Sequence, residues 1–528
     1  MSKRKKASIV VISSLCTLSL LLMIMYIQGL IPFGNDKSLA SMDAHIQYID
    51  LYAYLKDVIL GKNNFSYTFS NVLGGSSFAI FSYYLSSPIN LLVIFFSKDN
   101  LRTFFDIAVV IKLVLAALSC SYFLAETFKE KINSNLKYAM TIVLSVSYAL
   151  CQYNIAQSSN IMWLDGVYVL PLMLLFIHKI VIGESKGWKL AIVVGYMIIA
   201  NWYSAGINCI FSGFWFIFDY ARNYQKKDAA KDQLVNLLKN GLSYVFAMVL
   251  GIMLSAFLFI PTVKALQGSS RGDLKWDKLF DNTITGDIKT VLQNYVYGAT
   301  SAENSVALFC GCIVVIGVFA FFLNKKIKVS EKVKCGLFLL FAILSMYWKP
   351  LISAFSMFQD VNGYWYRYSY LAIFVLIYIA GEYFLGSEYG MVPTSVSAIL
   401  LSVMIVLLNH ARHAQPIREV YATALMFLVT GFAFGLVIFI KSKNINIRFY
   451  QSSILLMAFL CIGDTVYNSV LLMDKYAEHD SYLRSKETKE ASKQISMIQS
   501  RDRGVYRITQ TYAGINANYD EAFAHNYW

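Results

Sequence analysis

The chain has 528 residues, of which 57% are hydrophobic and 15% charged, with a formal net charge of +14. A mean hydropathy of +0.52 and repeated long apolar runs exclude a soluble globular protein and indicate a polytopic all-α membrane protein. The positive charge does not point to nucleic acid, because the Lys and Arg cluster in short loops between apolar runs, as orientation in a bilayer requires.

Lys3, Arg4, Lys5 and Lys6 place the N-terminus in the cytoplasm, and Ala7–Leu30 is a first span. The run is too long for a signal-peptide core, and Gln28-Gly29-Leu30 is not a small-x-small cleavage site. Residues 31–102 then form a first exterior loop. Within it, Asp43–Leu60 predicts an amphipathic helix. Ser86–Phe96 is apolar but too short to span, so it is expected to lie in the interface or to re-enter.

Further spans are predicted at 103–128, from the basic loop around Lys137 to Tyr153, at 167–182, up to Asn201-Trp202-Tyr203, from there to Arg222, and at 242–262. A second long exterior loop covers 263–305. Spans follow at 306–323, up to Trp348, and at 370–385, 393–408, 422–440 and 453–473. The total is about thirteen, and nearly every dense basic loop falls on one side. The bundle therefore covers 1–473. The charged tail, 474–528, is predicted to lie outside, where it reads as the start of a soluble domain. The eight cysteines lie in or beside apolar runs and read as small hydrophobes.

Several residues could carry chemistry. Asp43, Gln47 and Asp50 recur at i, i+4 and i+7, so a helix places them on one face. A carboxylate at the outer edge of a membrane can accept a proton from an attacking hydroxyl; the alternative is a solvated helix face. Asn160, Trp163 and Asp165 share a short exterior loop, where Asp165 either positions an acceptor or caps the next span. Asn201, Trp202 and Tyr203 lie at the same level, as interfacial aromatics or as a sugar-stacking surface. Arg367, within GYWYRYS, offers a planar fork to phosphate oxygens or snorkels to headgroups. Lys264, Arg271 and Lys349 are weaker candidates of the same kind. His410 and His413 have no carboxylate cluster beside them, and no metal-ligand pattern or nucleotide fingerprint is present.

The ordered segments MDAHIQYIDLY, NVLGGSSFAIFSYYLSSPINLL, MWLDGVYVLPLMLL, NWYSAGINCIF and YWYRYSYLAIF resemble the YfhO family of bacterial membrane proteins. The resemblance runs over essentially the whole chain. Its most specific parts are Asp43-x3-Gln47-Tyr48 and Tyr83-Tyr84-Leu85-x2-Pro88. It implies a GT-C-type integral membrane glycosyltransferase whose catalytic Asp, in the first extracytoplasmic loop, maps onto Asp43. Gln47, Tyr48, Asp50 and Asp165 would support it, Arg367 would bind the donor phosphate, and Tyr83, Tyr84, Trp163 and Trp202 would line a sugar or lipid groove. The implied donor is an undecaprenyl-phosphate sugar and the implied acceptor a lipoteichoic or wall teichoic acid or similar envelope polymer. A lipid-loading enzyme and a small flippase would act upstream. No cofactor is demanded; a divalent cation, Mg or Mn, is optional. Family members are usually longer, with a larger extracytoplasmic part after the bundle. A flippase of lipid-linked saccharides would instead require charges buried mid-span and paired broken helices. A non-catalytic assembly scaffold would tolerate loss of Asp43.

Overall fold

The computed structural model is a helical bundle in which local sequence signals set most element ends. It describes all residues except 35, 72–73, 224–229, 268–273, 360, 362, 411–414, 480, 503, 505–507, 509–519 and 526–528. Arg271 and His413 therefore lie outside the described residues. The first helix, Lys3–Gln28, starts where Ser2 accepts from the Lys5 amide and stops at Gly29, whose left-handed backbone (φ 65°) closes the last turn. Ser134 caps Asn135–Ala149 in the same way.

Eight of the described helices are long and apolar enough to cross a membrane. They coincide with predicted spans: Lys3–Gln28, Lys98–Thr127, Asn135–Ala156, Ile161–Val181, Gln233–Leu254, Met391–His410, Ile417–Ser442 and Ile447–Tyr476. The other five predicted spans fall on Trp188–Ala200, Trp202–Asn223, Cys312–Leu323, Val329–Leu344 and Tyr370–Gly386, which are shorter or more polar helices. Phe78–Leu85 and Pro88–Phe95 form a pair bent by 88°, whose second half covers the short apolar element expected at Ser86–Phe96. The end of that second half is apolar and exposed, with Phe95 80% exposed.

One buried ion pair ties this bent pair to the bundle. Lys112 and Asp165 meet at 2.7 Å with neither side chain exposed. Asp165 also accepts from Ser87 (2.8 Å), at the corner of the bend, and from Tyr168 (2.7 Å). Lys112 adds a bond to the Ile161 carbonyl at 3.0 Å. Every charge and lone pair that burial strips of water is thus met by a fixed partner, which is the condition for a buried pair to be tolerated. Close by, Leu164–Val181 meets Trp202–Asn223 at Gly166. A Cβ there would come within 2.9 Å of both Ser204 and the Tyr370 hydroxyl, so only glycine allows the approach. Asn208 seals the contact, donating to the Gly166 carbonyl (3.0 Å) and accepting from Tyr370 (2.7 Å).

The tail does not stand apart from the bundle. Ser38 and Glu478 exchange backbone hydrogen bonds (3.1 and 2.8 Å). Phe523 packs edge-on against Tyr54 at 5.4 Å, and Lys98 joins Asp57 to the Ala524 carbonyl, both at 2.6 Å. The first-loop helix Ile49–Ile59 is consequently covered on nearly every side, with Ile49–Leu55 all buried, rather than amphipathic at a surface.

Candidate active site

The first loop reaches the site through an unusual turn. Met42 is left-handed (φ 53°), and Ala44–Tyr48 winds as a π-helix before Ile49–Ile59 continues as α. A π-turn adds a residue to the helical register. It therefore splits the face that regular spacing assigned to Asp43, Gln47 and Asp50. Asp43 and Gln47 are half-buried, whereas Asp50 turns into the core at 2% exposure. His45 also turns inward, against Arg102 (3.3 Å).

Asp43 lies against Tyr364 and near Tyr48, and these two join it to a wider aromatic group. The Tyr364 hydroxyl meets both its carboxylate and its backbone amide. Tyr48 donates to Asn160 at 3.1 Å and lies 5.1 Å from the Tyr84 ring. Tyr84 in turn packs on Tyr83 (4.6 Å), which lies 6.0 Å from both Trp202 and Tyr203. Trp163 donates from its indole to the Tyr83 hydroxyl at 3.1 Å and stands edge-on to Tyr364 at 5.6 Å. Asn201 anchors the Tyr83 carbonyl at 2.8 Å. Burial first, then the adjacent carboxylate, push the Tyr364 phenol up. For Tyr48 the order is burial, the Tyr84 and Tyr83 phenols, then Asp43. Both phenols therefore stay protonated and donate, Tyr48 to Asn160 and Tyr364 to the Asp43 carboxylate.

Arg367 closes the far side of this group. Its guanidinium lies over the Trp163 ring at 5.1 Å and contacts Tyr203, and Nη2 donates to the Gly363 carbonyl at 3.4 Å. Its backbone carbonyl is fixed by Tyr153 (2.6 Å), yet its Nε is buried without a hydrogen-bond partner. The segment that presents it is strained, with Tyr364 and Tyr366 both left-handed (φ 48° and 60°). Bulky residues adopt such angles only where the surroundings impose them, and they gather at binding sites.

Of the residues singled out from sequence, Asp43, Tyr48, Tyr83, Tyr84, Trp163, Trp202 and Arg367 belong to one contiguous group. Asp50 and Asp165 do not join it. Asp165 is sealed in its ion pair with Lys112, because the span it opens packs directly against Leu101–Thr127. Tyr364 was not singled out, although the Gly363 before it and the alternating aromatics of YWYRYSY were a signal. Among the described residues, no three His, Cys, Asp or Glu side chains gather into a cluster that could hold a metal ion.

The family model described as "Bacterial membrane protein YfhO" matches residues 14–528. The chain belongs to the YfhO family. No curated protein and no solved structure matches it. Membership makes this a multi-pass bacterial membrane protein, in agreement with the helices above, and every member of the aromatic group falls inside the YfhO match.

Proposed function

We propose that this YfhO-family protein is a GT-C-type glycosyltransferase that moves a sugar from an undecaprenyl-phosphate carrier to a hydroxyl of a cell-envelope polymer such as lipoteichoic or wall teichoic acid. The single observation that carries this reading is the convergence of Asp43 and Arg367, 324 residues apart in the chain, on the two sides of Trp163 and Tyr364. The basic N-terminus and basic loops support an extracytoplasmic location for the cleft, where a lipid-linked donor replaces a nucleotide sugar.

In this mechanism the Asp43 carboxylate takes the proton of the acceptor hydroxyl. The acceptor oxygen bonds to the anomeric carbon as the bond from that carbon to the phosphate oxygen breaks, with inversion. The polyprenyl phosphate leaves with the electron pair as a stable anion. Arg367 neutralises that phosphate, Trp163 and Trp202 offer rings to the sugar or lipid, and protonated Tyr364 and Tyr48 hold Asp43 and its helix in place. Gln47, on the same turn, supports the acceptor. A divalent cation is not needed for any of these steps. The exporter alternative would draw on Lys112–Asp165, but a pair with all its partners fixed offers no relay.

The test is transfer by the full chain in proteoliposomes, with a defined polyprenyl-phosphate sugar and teichoic acid. Asp43→Asn should lower kcat by about 10²–10⁴ while leaving donor binding unchanged. A normally inserted Asp43→Asn protein that transfers at the wild-type rate would remove Asp43 as the base.

A further inference from the structure

Beside Arg367 lies a cavity of about 260 Å³, of whose wall the transfer chemistry above uses only Arg367 itself. Trp365, Arg367 and Tyr368 line it, whereas Tyr364, in the same strained segment, meets Asp43. One short stretch of chain thus serves both the base and the cavity. All lining residues come from the segments 278–304 and 349–368, both of which the loop charges place outside the membrane. An occupant therefore reaches it from the aqueous side.

The walls specify its chemistry. Lys278, Lys349 and Arg367 supply positive charge. Lys349 is held by Asp281 at 2.7 Å, but both side chains are about 40% exposed (43% and 40%), so that pair can exchange partners. Ser353 Oγ, on a residue 4% exposed, is buried in this wall without a hydrogen-bond partner, and a buried donor left unmet costs stability. Asp281 and Glu303 also line the space and accept hydrogen bonds from hydroxyls. Trp365 adds a flat apolar face of the kind that carbohydrate C–H groups cover.

We infer that this cavity is a subsite for a phosphate ester carried on a hydroxyl-bearing unit, and that it holds the acceptor next to Asp43. A simple polyol carries no anion for Lys349 and Arg367, and an isoprenyl phosphate carries no hydroxyls for Asp281 and Glu303. The inference rests on the transfer reading for its role but can be tested without turnover.

Binding is measured on the full chain in detergent, using a soluble glycerol-phosphate oligomer, inorganic phosphate and citronellyl phosphate as probes. The oligomer should bind the wild type more tightly than inorganic phosphate does. Its Kd should rise about tenfold in both Ser353→Leu, which fills the space, and Lys349→Gln, a half-exposed change that spares the fold. Citronellyl phosphate binding should not change in either variant. In the transfer assay, the same variants should raise KM for the acceptor and leave kcat and the donor KM unaltered. The subsite is overturned if neither variant weakens the oligomer, if inorganic phosphate binds as well as the oligomer, or if only citronellyl phosphate responds. Intact oligomer binding with no transfer by the wild type would sink the transfer reading and leave the subsite standing. Asp43-dependent transfer without oligomer binding would do the reverse.

Discussion

Two arginines at opposite ends of the helix Trp202–Asn223 show how the same group is put to different uses. At one end, Arg222 lies over the rings of Phe218 and Tyr378 (5.7 and 5.5 Å) and donates to Glu331 and Glu382 at 2.8 and 2.7 Å. At the other, Arg367 touches Tyr203 and lies over Trp163, but its Nε has no acceptor. Both guanidiniums rest on aromatic faces; they differ in their acceptors. Near Arg222 the neighbouring charges are met as well, with Glu126 held by Lys6 and Lys179 and Lys129 by Glu184. Where counter-charges are built in, the cluster holds the fold. Where an aromatic cradle leaves a donor unmet, the cluster awaits a ligand.

The most fully satisfied cluster gives the largest expected effect. Lys112→Met leaves Asp165 charged in a dry interior and should cost about 3–5 kcal/mol, read as early unfolding in detergent. The double variant Lys112→Met, Asp165→Asn removes the stranded charge and still accepts from Ser87 and Tyr168, so it should recover at least half of that loss. If the double variant is no better than the single, the pair is not acting as mutual compensation.

The two arginines should then separate cleanly. Arg222→Ala should lose roughly 3 kcal/mol of stability by stranding Glu382, with transfer per folded molecule unchanged. Arg367→Ala should keep the unfolding midpoint and lose about 10²–10³ in kcat/KM for the donor. Equal losses of stability in both would erase the distinction drawn here. A smaller effect tests the cradle itself: Trp163→Leu should weaken donor binding about fivefold through the lost cation–π contact, and Trp163→Phe should recover most of it.

How much of this was legible in sequence follows from how far each contact reaches along the chain. Apolar run length and loop charge are local, so the positions of the long helices and of the short apolar element at Ser86–Phe96 could be read directly, whereas its pairing with Phe78–Leu85 across an 88° bend could not. The placing of Asp43, Trp163 and Arg367 at one level followed from the same topology. Asp50 was misread because a five-residue π-helix breaks the 3.6-residue period, and composition does not announce such a turn. Asp165 was read as a loop carboxylate because its counterion, Lys112, lies 53 residues earlier on a different helix. The contact of the tail with the first loop was not legible because Lys98 is 426 residues away from Ala524.

That docked tail supplies an effect with a definite sign. It is a third kind of charged cluster, in which Lys98 is shared between the Asp57 carboxylate and the Ala524 carbonyl of the tail. Burial, and then the Lys98 charge, pull the His525 imidazole down to about 4 from its ordinary 6.5, with Asp57 opposing. Docking therefore favours neutral His525; this contribution is full above pH 6.5 and fades as pH falls toward 4. Burial raises the Asp520 carboxyl from 3.8 to about 6, so docking favours the protonated acid. That contribution is full below pH 3.8 and fades as pH rises through 6. Between pH 7 and 5 the two groups oppose each other, and the wild-type tail should change little. Asp520→Asn isolates the histidine, and amide-exchange protection of residues 521–525, corrected for intrinsic rates, should fall on the order of tenfold from pH 7 to 5. His525→Gln isolates the acid, and protection should instead rise over the same interval. A common direction in the two variants would mean that at least one of these groups is not buried by docking, and that the tail is held by Phe523 and Lys98 alone.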